Sequence, residues 1–404
     1  MCFCQLFIML VFINYSAVLP MLRTEWGMNN TQAGMIFSMY QLGYIASGVI
    51  LSTLTDRMNT RLIFITAAFW SAAANLLFAL YAHDFTSGMI LRALTGIGMG
   101  GTYMPGLKLV AERFDSATRG RAIGIYVGSL VMGASLSLAV TGWLTGLAGW
   151  RVAFICCSAG VCVGALLSVF VFRGYRPVTH MKTEAGFSGE VVQNRPALLM
   201  ILGYGAHMWE MYGMRSWLAP FMTSALVGWG VESGRATGLA STIAAVMIGI
   251  GAFSTAITGS LSDRLGRTAT ISMVMLASAL FSFGFGWLIN TNIWVTLAIG
   301  LLYGYLIVAE SPVFSTGLTE LVAPGYLGAA MGLQSLIGYS MGMISPTVFG
   351  WALDTFRGWQ PLPGINGEWG IAFSCLGLGA LAGPLFMWML RNNPDSVKMA
   401  GGNR

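Results

Sequence analysis

Apolar stretches separated by short segments rich in charge, proline and glycine recur along nearly the whole chain. A helix needs about 20 apolar residues to cross the hydrocarbon core of a bilayer, and these stretches have that length. Only 9% of the 404 residues are charged, whereas a soluble domain carries roughly 25% charged residues. The pattern therefore predicts an all-α membrane protein.

Breaks at charge, proline and glycine clusters divide the chain into twelve predicted transmembrane helices. They are 2–22, 33–54, 61–82, 86–112, 121–146, 150–172, 197–227, 236–260, 268–290, 292–318, 328–353 and 368–390. The only long polar stretch, 173–196, lies between the sixth and seventh helices. We expect an N-terminal six-helix bundle at 1–172, a cytoplasmic linker at 173–196, a C-terminal six-helix bundle at 197–390 and a cytoplasmic tail at 391–404.

The basic residues are distributed unequally between the two sides of these helices, fifteen on one side and four on the other. Because Lys and Arg concentrate in cytoplasmic loops, we expect a multi-pass protein of the plasma or inner membrane with both termini in the cytoplasm. The net charge of +6 is then a signal of topology, and nucleic acid is not expected as a partner. All six cysteines lie in predicted helices, so we expect no disulfide, no metal site and no cofactor.

The two halves of the sequence repeat each other at a nearly constant offset. Asp56-Arg57 matches Asp263-Arg264 and Pro105 matches Pro312, both at an offset of 207 residues. Gly142-Trp143 matches Gly350-Trp351 at an offset of 208. Six helices return the chain to its starting side, so the halves are parallel repeats about an axis along the membrane normal. We expect the substrate route between them, near the midplane.

Three motifs carry a family resemblance. The loop after the eighth helix has the pattern Gly-x-x-x-Asp-Arg-x-Gly-Arg, formed by Gly259, Asp263, Arg264, Gly266 and Arg267. The loop after the second helix is a degenerate copy that keeps Asp56 and Arg57. RALTGIGMGG from Arg92 resembles a fourth-helix motif, and GWRVAF from Gly149 resembles the start of a sixth helix. Together they resemble the major facilitator superfamily over the whole chain.

The resemblance implies secondary transport by twelve helices in two pseudo-symmetric six-helix bundles, the MFS fold. The two loops would then act as a latch that holds one conformation closed. The latch residues are Asp56, Arg57, Asp263, Arg264 and Arg267. Alternatively, the two aspartates are ordinary loop charges.

Ionisable side chains within a spanning helix are costly, so each is a candidate for function. His207 and Glu210 are three residues apart on the seventh helix and share a face. Glu210 lies roughly 20 Å into a core about 30 Å thick. We expect Glu210 to face the cavity, and Arg215 to pair with it or with an anionic group of the substrate. A structural ion pair is the alternative.

The other candidates lie on the fourth and tenth helices. Glu310 precedes Pro312 by two residues, where a freed carbonyl favours a flexible gate, so Glu310 could carry a proton or pair structurally. By resemblance, Arg92 serves helix packing or proton coupling; alternatively, it snorkels to the surface. Lys108 could hold an anion near the inner gate, or it snorkels.

Polar and aromatic residues on the first, fourth and tenth helices complete the candidate site. They are Asn14, Tyr15, Tyr103 and Tyr303. Each could line the cavity, although packing or anchoring at the membrane interface is the more common role for such a residue.

These features predict a secondary transporter that moves a small solute by alternating access, coupled to protons or to solute exchange. The basic candidates favour an organic or inorganic anion, and we expect a monomer in the lipid bilayer. An enzyme is not expected, because the chain has no phosphate-binding loop, HExxH motif or nucleophile elbow. The alternatives are an efflux carrier for drugs or other hydrophobic compounds, and a transporter-like sensor without flux.

Overall fold

The computed structural model describes residues 1–54, 58–114, 116–173, 189–361 and 366–402. Every regular element in these ranges is a helix, and the helices follow the twelve predicted spans. They are α1 (Cys2–Glu25), α2 (Asn30–Leu54), α3 (Thr60–Tyr81), α4 (Phe85–Ala111), α5 (116–148), α6 (150–171), α7 (Arg195–Gly228), α8 (Ser233–Leu265), α9 (Arg267–Asn290), α10 (Ile293–Leu321), α11 (Leu327–Thr355) and α12 (Gly367–Arg391). The predicted all-α, twelve-helix fold class is confirmed.

Eight helical stretches in these ranges are long and apolar enough to cross a membrane. One of them, Ala122–Val171, has 50 residues, more than twice the length that one crossing needs. Its hydrogen-bonded helix continues across Gly149, whose φ of 84° is a conformation that favours glycine. Gly149 therefore divides this stretch into α5 and α6, as the sequence predicts.

Several helices are interrupted within their span. Helix α1 consists of Cys2–Ile8, a 3-10 turn at Met9–Val11, and Asn14–Glu25. Three other helices each consist of two parts: α8 of Ser233–Gly249 and Gly251–Leu265, α10 of Ile293–Leu306 and Ser311–Leu321, and α12 of Gly367–Ala380 and Ala382–Arg391. Each interruption leaves backbone groups without their partners in the helix. In lipid such groups need partners from neighbouring helices.

By contact the chain forms two compact units. Unit 1 contains Met1–Lys182 and Ser216–Gly249, and unit 2 contains Thr183–Arg215 and Ile250–Arg404. The predicted bundle boundaries, 1–172 and 197–390, follow the internal repeat instead of the contacts and stay a prediction. Within unit 1, the first part of α8 packs on α5, where Ser135 Oγ donates to the Ala245 carbonyl at 2.6 Å.

Glycines of the fourth-helix motif bring α4 into backbone contact with α2. A Cβ atom built on Gly96 would lie 1.9 Å from the carbonyl oxygen of Tyr40, and one on Gly100 would lie 2.5 Å from that of Tyr44. Gly43 on α2 has the same relation to Ala93, with a separation of 2.1 Å. The motif therefore serves close helix packing.

The GWRVAF segment fastens the start of α6 to the end of α1. Trp150 Nε1 donates to Glu25 Oε2 at 2.8 Å, and Arg151 lies 3.3 Å from Glu25 Oε1. The rings of Phe78 and Phe154 stack with their centroids 5.0 Å apart. Glu25 thus joins the end of α1 to the start of α6, and the stacked rings join α6 to α3.

In unit 2, α9 packs closely against α12. A Cβ atom on Gly370 would lie 2.3 Å from the ring of Trp287. A buried apolar cluster that includes Met200, Ile271, Phe314 and Met387 joins α7, α9, α10 and α12. This packing holds the polar residues of α7 away from solvent.

The contact at Gly96 predicts a loss of stability on substitution. Replacing Gly96 with Ala forces the backbones of α2 and α4 apart, and overpacking of this kind typically costs 1–3 kcal/mol. We expect the apparent melting temperature of the purified protein to fall by several degrees. Gly128→Ala on α5 is the control, because a Cβ there meets no atom within 4 Å. Equal melting temperatures for the two variants would contradict the role of Gly96.

Candidate functional site

Ionisable side chains are buried in both units. His207, Glu210 and Glu310 lie in unit 2 with 1%, 1% and 0% of their surface exposed, and Arg92 lies in unit 1 with 0% exposed. The sequence places all four inside spanning helices, and the structure shows that they are enclosed by protein.

His207 on α7 and Glu310 on α10 form a buried pair. The Nδ1 atom of His207 lies 2.8 Å from Oε1 of Glu310. Glu310 precedes the second part of α10, in the interruption between Leu306 and Ser311. The Nε2 atom of His207 and the Oε2 atom of Glu310 find no hydrogen-bond partner among the described residues.

Glu210 is held by hydroxyl groups. Its Oε1 atom accepts from Ser278 Oγ at 2.8 Å and from the Tyr303 hydroxyl at 3.1 Å. The Tyr303 hydroxyl also lies 3.0 Å from Ser282 Oγ, which donates to the Phe373 carbonyl at 2.9 Å. A chain of polar groups therefore joins α7, α9, α10 and α12 inside unit 2.

Arg215 is buried, but it is not a partner of Glu210. Residues five apart on a helix point about 140° apart, given 3.6 residues per turn. Helix α7 continues through Gly213 and Pro220, so it does not unwind there to bring Arg215 onto the face of Glu210. Gly213 instead allows close packing, because a Cβ there would lie 2.3 Å from Leu376 Cδ2. Pairing with a substrate anion remains a prediction for Arg215.

Arg92 binds the interrupted part of α1. Its guanidinium donates to Asn14 Oδ1 at 3.0 Å and to the carbonyls of Val11 and Phe12 at 3.3 and 3.4 Å. It also lies 4.4 Å from the centroid of the Tyr40 ring. Among the residues that the structure describes, no carboxylate lies within ion-pair distance of it. The alternative that Arg92 snorkels to the surface is therefore wrong.

Asn14 extends the hydrogen-bond network of Arg92 to α3 and α6. Its Nδ2 atom donates to Asn75 Oδ1 at 3.0 Å, and Asn75 Nδ2 donates to Ser158 Oγ at 3.0 Å and to the Phe154 carbonyl at 3.1 Å. Amides in the core of a bundle tie helices together because lipid offers no other partner.

Of the remaining candidates, Tyr15 joins the surroundings of Arg92, whose guanidinium lies 5.8 Å from the centroid of the Tyr15 ring. Tyr15 is buried and donates to the Ala33 carbonyl at 3.1 Å. Tyr103 and Lys108 are half-buried on α4, and Lys108 lies in its last turn. Their roles in binding stay predictions.

The second signature loop forms a charge cluster in unit 2. Arg267 lies 2.6 Å from Asp263 Oδ1 and binds both carboxylate oxygens of Glu320, at 2.8 and 3.2 Å. Gly266 has a φ of 92°, which explains the glycine in the motif. Of the other latch residues, Arg264 is exposed, and Asp56 and Arg57 lie outside the described residues. A Cβ on Gly259 would meet nothing within 4 Å. Packing among the described residues therefore does not explain the glycine at position 259.

Several residues of these networks were not candidates in the sequence. They are Asn75, Ser278, Ser282 and Glu320. Asn75 is an amide in an otherwise apolar run, and Ser278 and Ser282 are four residues apart on one helix face. These two signals could have identified them, whereas nothing in the motif points to Glu320.

The arrangement allows two kinds of chemistry. Glu210, held by neutral hydroxyls, and Glu310, hydrogen-bonded to an imidazole, are buried carboxylates at which a proton could bind. Arg92 supplies a buried positive charge that, among the described residues, neutral dipoles and aromatic rings compensate. Among the described residues, no group of His, Cys, Asp and Glu is arranged to hold a metal ion.

Residues 1–346 match the family model of the Major Facilitator Superfamily. The chain is 26% identical to a probable 4-methylmuconolactone transporter of Cupriavidus pinatubonensis, covering 81% of this chain and 76% of the relative. It is 25% identical to a probable sulfoacetate transporter of Cupriavidus necator, with coverages of 92% and 88%. It is 22% identical to a hexuronate transporter of Bacillus subtilis, with coverages of 85% and 85%.

Among solved structures, the fold is similar to an inward-facing, occupied bacterial homologue of the human lysosomal transporter Spinster. The TM-score is 0.69 at 17% identity, covering 96% of this chain and 94% of that one. At this identity the likeness concerns the fold alone.

The charge cluster predicts unequal effects of its two acids. Glu320→Gln leaves the mostly buried Arg267 without its bidentate partner and should destabilise the loop by about 1–3 kcal/mol. Asp263→Asn should cost less than about 1 kcal/mol, because Asp263 is 66% exposed and exposed ion pairs are weak. Hydrogen exchange at residues 262–267 would measure both. Equal loss of protection in the two variants would contradict this ranking.

Proposed function

The chain belongs to the major facilitator superfamily, and we propose that it is a secondary transporter that moves a small organic anion by alternating access, driven by protons. Membership makes it a multi-pass membrane transporter and not an enzyme. The proposal further includes an organic anion as the substrate, coupling to protons, a monomeric state and termini in the cytoplasm.

The observation that carries the proposal is the buried cation Arg92. A buried charge without a counter-ion costs several kcal/mol even after relaxation of its surroundings. The carbonyls of α1 and the ring of Tyr40 offset part of this cost. Arg92 is a positive centre inside the membrane that meets no carboxylate among the described residues, and such a centre favours an anionic ligand over a neutral or cationic drug.

The relatives support the same class of substrate. Those named for sulfoacetate and hexuronate transport organic anions. Over most of its length the chain resembles such proteins, so carboxylates are the first compounds to test.

Glu210 is the proposed coupling residue. It is buried and its partners are the neutral hydroxyls of Ser278 and Tyr303. A carboxylate in such surroundings can be neutralised by a proton, and this neutralisation removes the cost of burying its charge. Proton binding and release at Glu210 would then accompany the change of conformation.

The internal repeat supports alternating access. Trp143 and Trp351 occupy equivalent positions in the two halves and are similarly exposed, 62% and 53%. Equivalent residues with equivalent surroundings fit two parallel repeats that move as bundles.

A thermal-shift screen of the purified protein tests the substrate class. The panel contains glucuronate, sulfoacetate and 4-methylmuconolactone, with glucose and tetraphenylphosphonium as the neutral and cationic comparisons. A ligand at 100 times its Kd stabilises the folded state by about 2.7 kcal/mol, so a carboxylate should raise the melting temperature. A shift with tetraphenylphosphonium alone would instead favour drug efflux.

Uptake into liposomes tests the role of Glu210. Glu210→Gln should strongly reduce uphill accumulation of the carboxylate that gives the largest thermal shift, while exchange of labelled for unlabelled substrate continues. Ser278→Ala is the matched control, because it removes one hydrogen bond and leaves the acid, so accumulation should persist. Uphill uptake at the wild-type level by Glu210→Gln would show that coupling lies elsewhere.

A further inference from the structure

The pair of His207 and Glu310 has two features that a structural hydrogen bond does not require. Each partner has one polar atom, His207 Nε2 and Glu310 Oε2, for which the described part of the chain offers no hydrogen bond, although both side chains are buried. Buried polar atoms without partners are rare in native proteins and call for an explanation. One explanation is that the pair gains partners or a proton in another conformation.

The charge of the pair depends on one proton. With neutral His207 and ionised Glu310 the pair carries one negative charge. One added proton makes it neutral, whether the proton sits on the imidazole or on the carboxyl group. The rings of Tyr204 and Phe314 lie 5.7 and 5.9 Å from the His207 ring, and such surroundings favour the neutral form.

The charged neighbours do not neutralise the negative charge of the pair in place of this proton. Glu210, one turn along α7, adds a second negative charge that interacts with Glu310. Arg215 lies eight residues from His207 and interacts with tyrosine hydroxyls, including that of Tyr204. The elements around the pair carry further titratable groups. They are Arg195, Tyr204, Glu210, Tyr212 and Arg215 on α7, Tyr303, Tyr305 and Glu320 on α10, Tyr339 and Asp354 on α11, and Glu368, Cys375 and Arg391 on α12.

The pair also lies at an interruption of α10. Glu310 belongs to the interruption of α10, residues 307–310. The interruption of α8 touches the same place, because a Cβ on Gly251 would lie 2.5 Å from Val308 Cγ2 and 2.9 Å from the Gly304 carbonyl. A change of angle at either interruption would therefore move Glu310 relative to His207 and change its access to water.

We propose that His207 and Glu310 together form a second proton-binding site, separate from Glu210, so that two protons accompany each transport cycle. The number of protons per transport cycle rests on the proposed function, whereas proton binding by the pair can be tested without transport. The buried acidic and basic side chains of α7 and α10 that enter the charge sum are His207, Glu210, Arg215 and Glu310. With neutral His207 and both acids ionised their charges sum to −1; two protons make the sum +1, which favours an anion.

Nitrogen NMR of the full-length protein in lipid nanodiscs tests the site without any substrate. The chain has three histidines, so selective labelling with ¹⁵N-histidine gives few signals, and the signal lost in His207→Gln identifies His207. In the wild type we expect the His207 signals to change between pH 4 and pH 10 as the pair loses its proton. In Glu310→Gln the amide donates to Nδ1, so His207 should stay in the Nε2-protonated form throughout.

Tyr204→Phe is the matched control, because it keeps the ring beside His207 and should keep the pH-dependent change. His207 signals that do not change with pH in the wild type, or that change alike in Glu310→Gln, would overturn the proposal. Circular dichroism and size exclusion would show that Glu310→Gln is folded.

Proton counting in liposomes provides the transport measurement. With the carboxylate selected by the thermal-shift screen, the number of protons per substrate should fall from two in the wild type to one in Glu310→Gln. An unchanged ratio would also overturn the second site. A protein that binds and moves no carboxylate would refute the proposed function, while the NMR result would still decide the proton site.

Discussion

A polar group that leaves its helix inside a bilayer must find a partner on another helix, because lipid provides none. In unit 1 this requirement decides the positions of several polar side chains. The interruption of α1 frees carbonyls that Arg92 and Ser137 bind, the latter at 2.7 Å from the Leu10 carbonyl. Pro220 cannot donate to the Ser216 carbonyl, and Ser16 Oγ donates to that oxygen at 2.6 Å. These polar side chains thus supply the hydrogen bonds that the irregular backbone lacks within its own helix.

The twelve spans could be predicted from the sequence because length and apolarity are local properties of the chain. The interruptions could be predicted only in part, because proline is an uneven guide to them: Pro312 directly follows the interruption of α10, but other prolines mark no break. Pro105 and Pro220 lie inside continuous helices, whereas α8 breaks at Ile250 with no proline nearby. Whether a helix breaks depends on the partners that its freed groups find, and those partners lie far away in the sequence.

The same distinction applies to the site. Sequence analysis identified the buried ionisable residues, because a charge within an apolar run stands out. It did not identify their partners: the partner of His207 is 103 residues away, and Glu210 meets Ser278 and Tyr303 instead of Arg215. Hydroxyl groups are common in membrane helices, so their pairing with a carboxylate leaves little trace in composition. The signature loop shows the same limit, since Glu320 completes it from outside the motif.

Under the proposed function, the buried charges also explain why protons and an anion would travel together. Low dielectric surroundings penalise net charge strongly. Without protons, the acids of α7 and α10 oppose an anion; with protons bound, Arg215 and Arg92 leave both units positive at their buried centres. Each proton thus raises the affinity for the anion, and by linkage the anion raises the affinity for protons by the same factor. Within unit 2, two protons and a monovalent anion bring the sum of the buried charges to zero, whereas the empty, unprotonated form has a sum of −1. The loaded form can therefore change conformation inside the membrane at a lower electrostatic cost.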